Sequence, residues 1–200
     1  MFNLLKKDLV QNKKYFFLTM IVVLIGSFLL LNDQDIQQYY VALYFLPLTI
    51  LNMIIGKLNY IDDQNNIRLF LKSLPYSKYT LVGTRYLETM ILIIVSIIYS
   101  VVIETNYYNS LEGLKVIEDA FLAFSVITIY QAISLWMFFY KNYRVSQNAL
   151  VICCILLLMF YGITNSLGIV ISININYLYI IISSICVYIL SFYMSSKMLK

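Results

Sequence analysis

Apolar residues in this chain gather in long, nearly uninterrupted blocks separated by short polar stretches. Six blocks, at 15–31, 39–56, 87–103, 120–140, 149–171 and 177–196, are 17 residues or longer. A bilayer core about 30 Å thick takes roughly 17–25 helical residues to cross. The blocks are continuous and do not alternate residue by residue, which argues for helices and against a barrel. The expected fold is therefore an all-α membrane protein with six transmembrane helices in one domain.

The polar stretches carry their own patterns. In residues 1–14, Met1, Phe2, Leu5 and Leu9 fall on one arc with Lys6, Lys7 and Lys14 mostly opposite, which predicts a short helix lying in the membrane interface. A disordered basic start that only orients the first span is the alternative. The largest polar segment is 57–86. Asp62 and Asp63 offer N-cap carboxylates, and Ile67, Phe70, Leu71 and Leu74 follow at helical spacing with Arg68, Lys72 and Ser73 off that face. Pro75 ends this predicted helix over 63–74, and Ser77 is placed to cap a second one running through Leu81, Val82 and Tyr86 into the third block. The fifth block weakens in its second half, where Gly162, Thr164, Asn165, Ser166 and Gly168 occur. A break near Gly162, with 163–176 re-entrant or on the outer surface, fits that composition, and a single tilted helix is the alternative.

Charge fixes the expected orientation. With the N-terminus inside, Lys6, Lys7, Lys13, Lys14, Lys57, Arg68, Lys72, Lys78, Arg85, Lys141, Arg144, Lys197 and Lys200 are cytoplasmic, and Lys115 alone among the 14 basic residues is outside. So strong a bias predicts that both termini and the 57–86 segment are cytoplasmic. The chain is 62% hydrophobic and 12% charged with a net charge of +4, a composition for lipid and not for water. Its basic residues are dispersed between apolar blocks, so nucleic acid is not an expected partner. The first block is followed by Asn32, Asp33 and Gln34, which reads as a retained helix and not a cleaved signal.

Most site chemistry is absent from the sequence. There is no histidine, no HExxH and no phosphate-cradling GxxxxGK[ST], so neither zinc hydrolysis nor nucleotide binding by that loop is available. No catalytic, metal or cofactor residue is expected, and the chain is not expected to be an enzyme. Cys153, Cys154 and Cys186 lie in apolar runs and are read as small buried hydrophobes. Glu88 and Glu104 stand at the two ends of the third block, leaving no acidic residue at mid-span, which argues against a proton-coupled carrier. Asn52, Gln131, Ser134, Tyr99 and Tyr130 stand out among the polar residues within spans, with Pro47 as a kink. Asn52 and Gln131 are costly against lipid and should face other helices or a path. Asn52, Tyr130, Gln131 and Ser134 are thus the candidate substrate path. Tyr39–Tyr40 and Tyr107–Tyr108 read as interface belts.

The stretch Arg68-Leu-Phe-Leu-Lys-Ser-Leu-Pro75-Tyr-Ser-Lys-Tyr-Thr-Leu-Val-Gly-Thr-Arg85-Tyr-Leu resembles the inner loop of small ABC-2-type permeases, where an amphipathic helix ends in Ser-Leu-Pro and a second helix leads into the third span. The opening Leu4-Leu5-Lys6-Lys7-Asp8-Leu9 looks like that family's start. The resemblance implies a permease domain over 1–200 in the cell membrane, with an N-terminal elbow helix at 1–14, a coupling loop at 57–86 and a re-entrant segment between spans five and six. It also implies that Ile67, Arg68, Phe70, Leu71, Leu74 and Pro75 dock on a separate ABC ATPase. ATP would then act only through that partner, with no cofactor on this chain. A second permease chain, identical or merely similar, would complete the transporter among membrane lipids. In small members of this kind the cargo is often a toxic or amphipathic peptide, exported or cleared. A non-transporting scaffold or regulatory protein and an ATP-independent carrier are the alternatives.

Overall fold

The computed structural model describes residues 6–8, 10, 12–30, 36–64, 77–107, 113–148, 151–152 and 177–198. Every element longer than one turn among them is an α-helix. These are α1 (Lys13–Leu30), α2 (Ile36–Gln64), α3 (Lys78–Tyr107), α4 (Gly113–Tyr140) and α5 (Tyr177–Met198), with a short helix over 143–148. Helix is the outcome the apolar blocks dictate, because only a helix satisfies its backbone within one segment. The four blocks before residue 141, and the one beginning at Tyr177, each form a helix. Three segments are long and apolar enough to cross a membrane: Lys78–Val102, Val116–Tyr140 and Tyr177–Met198. The block 149–171 lies outside the described residues apart from 151–152, as does the expected re-entrant segment.

The helix ends follow local chemistry. Asn12 forms a turn ahead of α1, and its carbonyl accepts from the Tyr15 and Phe16 amides at 2.9 and 3.0 Å. Ser77 caps α3 as its position predicts: its Oγ accepts from the Thr80 amide at 3.2 Å and lies 2.6 Å from Thr80 Oγ1. Asp62 and Asp63, expected to cap a following helix, lie inside the last turn of α2, which continues to Gln64; the rest of that expected helix lies outside the described residues. The helix outruns its apolar block because its polar extension finds partners. Lys57 Nζ sits 4.8 Å from the Tyr15 ring centroid and 4.9 Å from that of Tyr60. The Asp63 carboxylate accepts from the Tyr143 amide at 3.3 Å. Pro47 lies inside α2, which continues through it.

The core lies where α2, α3, α4 and α5 meet. Leu51 and Ile55 from α2, Ile93 from α3, and Ile127, Leu135 and Phe138 from α4 are fully buried. Outward faces stay apolar: Phe17 and Met20 on α1, Ile98 on α3 and Leu190 on α5 are exposed, as lipid-facing side chains are. Cys186 is also exposed on α5, against the expectation that it is buried, while Cys153 and Cys154 lie outside the described residues. Hydroxyls inside the helices are mostly satisfied locally. Thr19, Thr89, Ser100 and Ser125 each donate to the carbonyl four residues earlier, at 2.7 to 3.1 Å.

Candidate functional site

The start of α1, the end of α2, the start of α3 and the ends of α4 and α5 share one end of the bundle. Lys13, Lys57, Lys78, Lys141 and Lys197 gather there, as the orientation rule requires of a single membrane face. At its centre is one buried cation. Arg85, 6% exposed, donates through Nη2 to the Asp62 carboxylate on α2. Its Nη1 donates to Glu88 on its own helix at 2.9 Å and lies 3.6 Å from the Asp8 carboxylate. One guanidinium thus serves three carboxylates on three separate parts of the chain. The planar fork of arginine suits this sharing better than an ammonium would. Asp8 has a second, outer partner in Lys7 at 3.8 Å.

A second set of bonds joins α3, α4 and α5 beside this cluster. Tyr86 OH lies 2.6 Å from Ser191 Oγ and 2.9 Å from Ser195 Oγ. Tyr188 OH donates to the Tyr86 carbonyl at 2.7 Å, and Ser191 Oγ donates to the Ala132 carbonyl at 2.7 Å. The Tyr86 ring meets Tyr188 and Phe192 edge-on, with centroids 5.1 and 5.5 Å away.

The candidate path residues divide. Asn52 Nδ2 donates to Tyr130 OH at 3.3 Å, so this pair bridges α2 and α4. Gln131 is buried next to it, and its Nε2 has no hydrogen-bond partner among the described residues. Ser134 faces away into packing: its hydroxyl lies 3.0 Å from Ser146 Oγ, and Ser146 Oγ donates to its carbonyl at 2.9 Å. Ser134 therefore anchors the short helix 143–148 to α4. Between α1, α2 and α3 runs an apolar cleft of about 260 Å³ lined by Met20, Val23, Ile50, Ile54, Leu92 and Val95 among others. A smaller hollow of about 140 Å³ shares Phe16, Ile54 and Leu92 with it and reaches Asp8 and Glu88.

Residues 3–200 match the family described as ABC-2 family transporter protein. The chain belongs to that family. No curated protein and no solved structure gives a significant match. An ABC-2 permease is a membrane transport component, and the ionic cluster takes its meaning from its place in one. Gln64 and Ser77 bound the segment 65–76, which contains Ile67, Arg68, Phe70, Leu71, Leu74 and Pro75 and lies outside the described residues. Asp62 lies in the last turn of α2 before that segment and Arg85 two turns into α3 after it, so their pair ties the flanking helices together. The tyrosine pairs expected as interface belts have side chains outside the described set.

In this permease the residues that sequence reasoning missed are Asp8, Asp62, Arg85 and Glu88. A signal for Arg85 was present. Val82, Tyr86, Thr89, Ile93, Ser96 and Ser100 are buried at helical spacing along α3, and Arg85 falls within that stripe. A charged residue inside a buried stripe requires a buried partner. Among the described residues no group of side chains could hold a metal ion.

Proposed function

We propose that this chain is the six-span membrane subunit of an ABC exporter whose ATP is hydrolysed by a separate subunit docked on the segment between α2 and α3. Membership of the family makes it a membrane permease of an ABC transporter. The observation that carries the finer reading is the ion pair between Asp62 and Arg85, which ties the two helices flanking that segment together at the basic end of the bundle. A docking element can pass force to the spans only if its base is fixed. Ile67, Phe70, Leu71 and Leu74 supply the apolar face for an ATPase groove, with Arg68 beside it and Pro75 ending the helix. The basic end faces the cytoplasm, where ATP is, with both termini. A second permease chain, identical or similar, completes the path. The cargo is an amphipathic chain such as an antimicrobial peptide, exported or cleared. An apolar cleft ending at two carboxylates suits such a molecule.

The test is copurification of the ATPase from native membranes. Phe70→Ala with Leu71→Ala removes the aromatic anchor and its neighbour, a truncation that typically costs about 2 kcal/mol or more of binding. Insertion and expression should be unchanged, while ATPase recovery falls. An ATPase retained at wild-type level by the double variant would overturn the assignment of this face. A wild-type chain that transports with no ATPase present would overturn the whole reading.

A further inference from the structure

We propose that Arg85 is a positioning residue that makes the N-terminal segment, the end of α2 and the start of α3 move as one body. This rests on the reading that the ATPase docks between α2 and α3. The three carboxylates around Arg85 are not equivalent. Glu88 lies three residues along the same helix and travels with the arginine wherever α3 goes. Asp62 and Asp8 belong to other parts of the chain, and their bonds are the ones that transmit motion.

Glu88 has a distinct consequence. A buried guanidinium stripped of every partner is strongly unfavourable. With Glu88 always at hand, Arg85 stays paired even when an inter-element arm opens. The arms can therefore strain and reform without exposing an unpaired charge. Nη1 is the shared point, bonded to Glu88 at 2.9 Å and reaching Asp8 at 3.6 Å. The Asp8 arm is the longer of the two, so it is the arm that losing the guanidinium fork weakens more. The short side chain of Asp8 is held in place by its own turn, because Asn12 donates from its amide and its Nδ2 to the Asp8 carbonyl at 3.1 and 3.0 Å.

Spin-label pairs at exposed positions read this directly, after Cys153, Cys154 and Cys186 are replaced. Lys6 with Ser77 reports the Asp8 arm, Gln64 with Ser77 the Asp62 arm, and Tyr140 with Lys197 is a control for the fold. All five labelled residues are exposed. In the wild-type permease–ATPase complex the first two pairs should give narrow distance distributions that stay the same when ATP and vanadate trap the enzyme. A Lys6 to Glu118 pair, measured against α4, should shift on trapping. Asp8→Asn should broaden Lys6–Ser77 alone and abolish the Lys6–Glu118 shift. Asp62→Asn should broaden Gln64–Ser77. Arg85→Lys, which keeps a charge but loses the fork, should broaden Lys6–Ser77 more than Gln64–Ser77. If a variant also broadens Tyr140–Lys197, the fold has been lost, and the Asp8→Asn result decides. Distributions in Asp8→Asn and Asp62→Asn as narrow as wild type would overturn the proposal. Failure of the wild-type chain to bind any ATPase would instead remove the docking reading, and the transmission claim with it.

Discussion

Replacing Arg85 by methionine should be among the most destabilising single changes in this protein. The substitution keeps a long, flexible side chain and removes the charge. It strands the carboxylates of Asp62, Glu88 and Asp8, whose side chains are only 11, 10 and 13% exposed. Removing one partner of a buried pair typically costs about 3–5 kcal/mol, because the remaining charge is left uncompensated. An exposed pair would lose at most about 1 kcal/mol. Burial here places the cluster in the first class, and Lys7 relieves only Asp8, from the outer side.

The control for that magnitude is to remove the stranded charges too. Arg85→Met combined with Asp62→Leu and Glu88→Met leaves an apolar patch of similar volume beside Asp8, which keeps Lys7 as its partner. Such replacements of buried ion clusters are often neutral or stabilising, so the triple variant should recover most of the loss. Equilibrium unfolding in mixed micelles, followed by circular dichroism, measures both. A single variant that loses under about 1 kcal/mol would mean that the cluster is screened by solvent. A triple variant no more stable than the single would mean that lost packing, and not uncompensated charge, sets the cost.

Three further outcomes follow from the geometry. Tyr86→Phe removes the hydroxyl shared by Ser191 and Ser195 and should lower stability by about 1 kcal/mol, the usual net worth of a buried hydrogen bond; no loss in the same unfolding assay would show the hydroxyls to be satisfied elsewhere. Gln131→Leu should leave stability unchanged or raise it by about 1 kcal/mol, since it deletes a buried Nε2 that has no partner; a loss above that size would reveal a bond the side chain does make. Cysteines introduced at Gln37 and Asn109 in a chain lacking its native thiols should react with an impermeant reagent from outside intact cells, and one at Ser73 should not; outside labelling at Ser73 would reverse the orientation.

The helices were legible because each rests on a long apolar block, and a block of that length leaves the backbone few other solutions. Their ends were legible only where the cause was local. Ser77 caps α3 through an amide three residues away, and a short-range rule finds it. Asp62 looks locally like a cap as well, but its partner is 23 residues further on. A rule that sees only the next turn assigns it to the wrong helix. Lys57 and Asp63 were assigned to a loop for the same reason: their partners, Tyr15 and Tyr143, are far away in sequence. Asn52 and Tyr130 were singled out separately by polarity, and the fold brings them together. Ser134 was chosen by the same criterion and anchors the segment 143–148 instead. Polarity alone does not distinguish a bridge from an anchor.

Directional bonds tie the helices together at the basic end of the bundle. Among the described residues, most hydroxyls along the spans bond to carbonyls of their own helix and hold nothing to anything else. Several bonds cross between elements at the basic end. There Arg85 joins Asp62 and Asp8, Tyr86 joins Ser191 and Ser195, and Asp63 joins the Tyr143 amide. Further along, Leu43, Ile93, Ile97 and Ala123 add apolar core contacts, and Tyr177 of α5 bonds the Glu118 side chain of α4. In lipid the hydrophobic effect does not hold helices together, so directional bonds weigh more in deciding which contacts slide and which do not. That end is the one that carries the segment 65–76, and a permease driven from that segment needs its flanking helices tied together there.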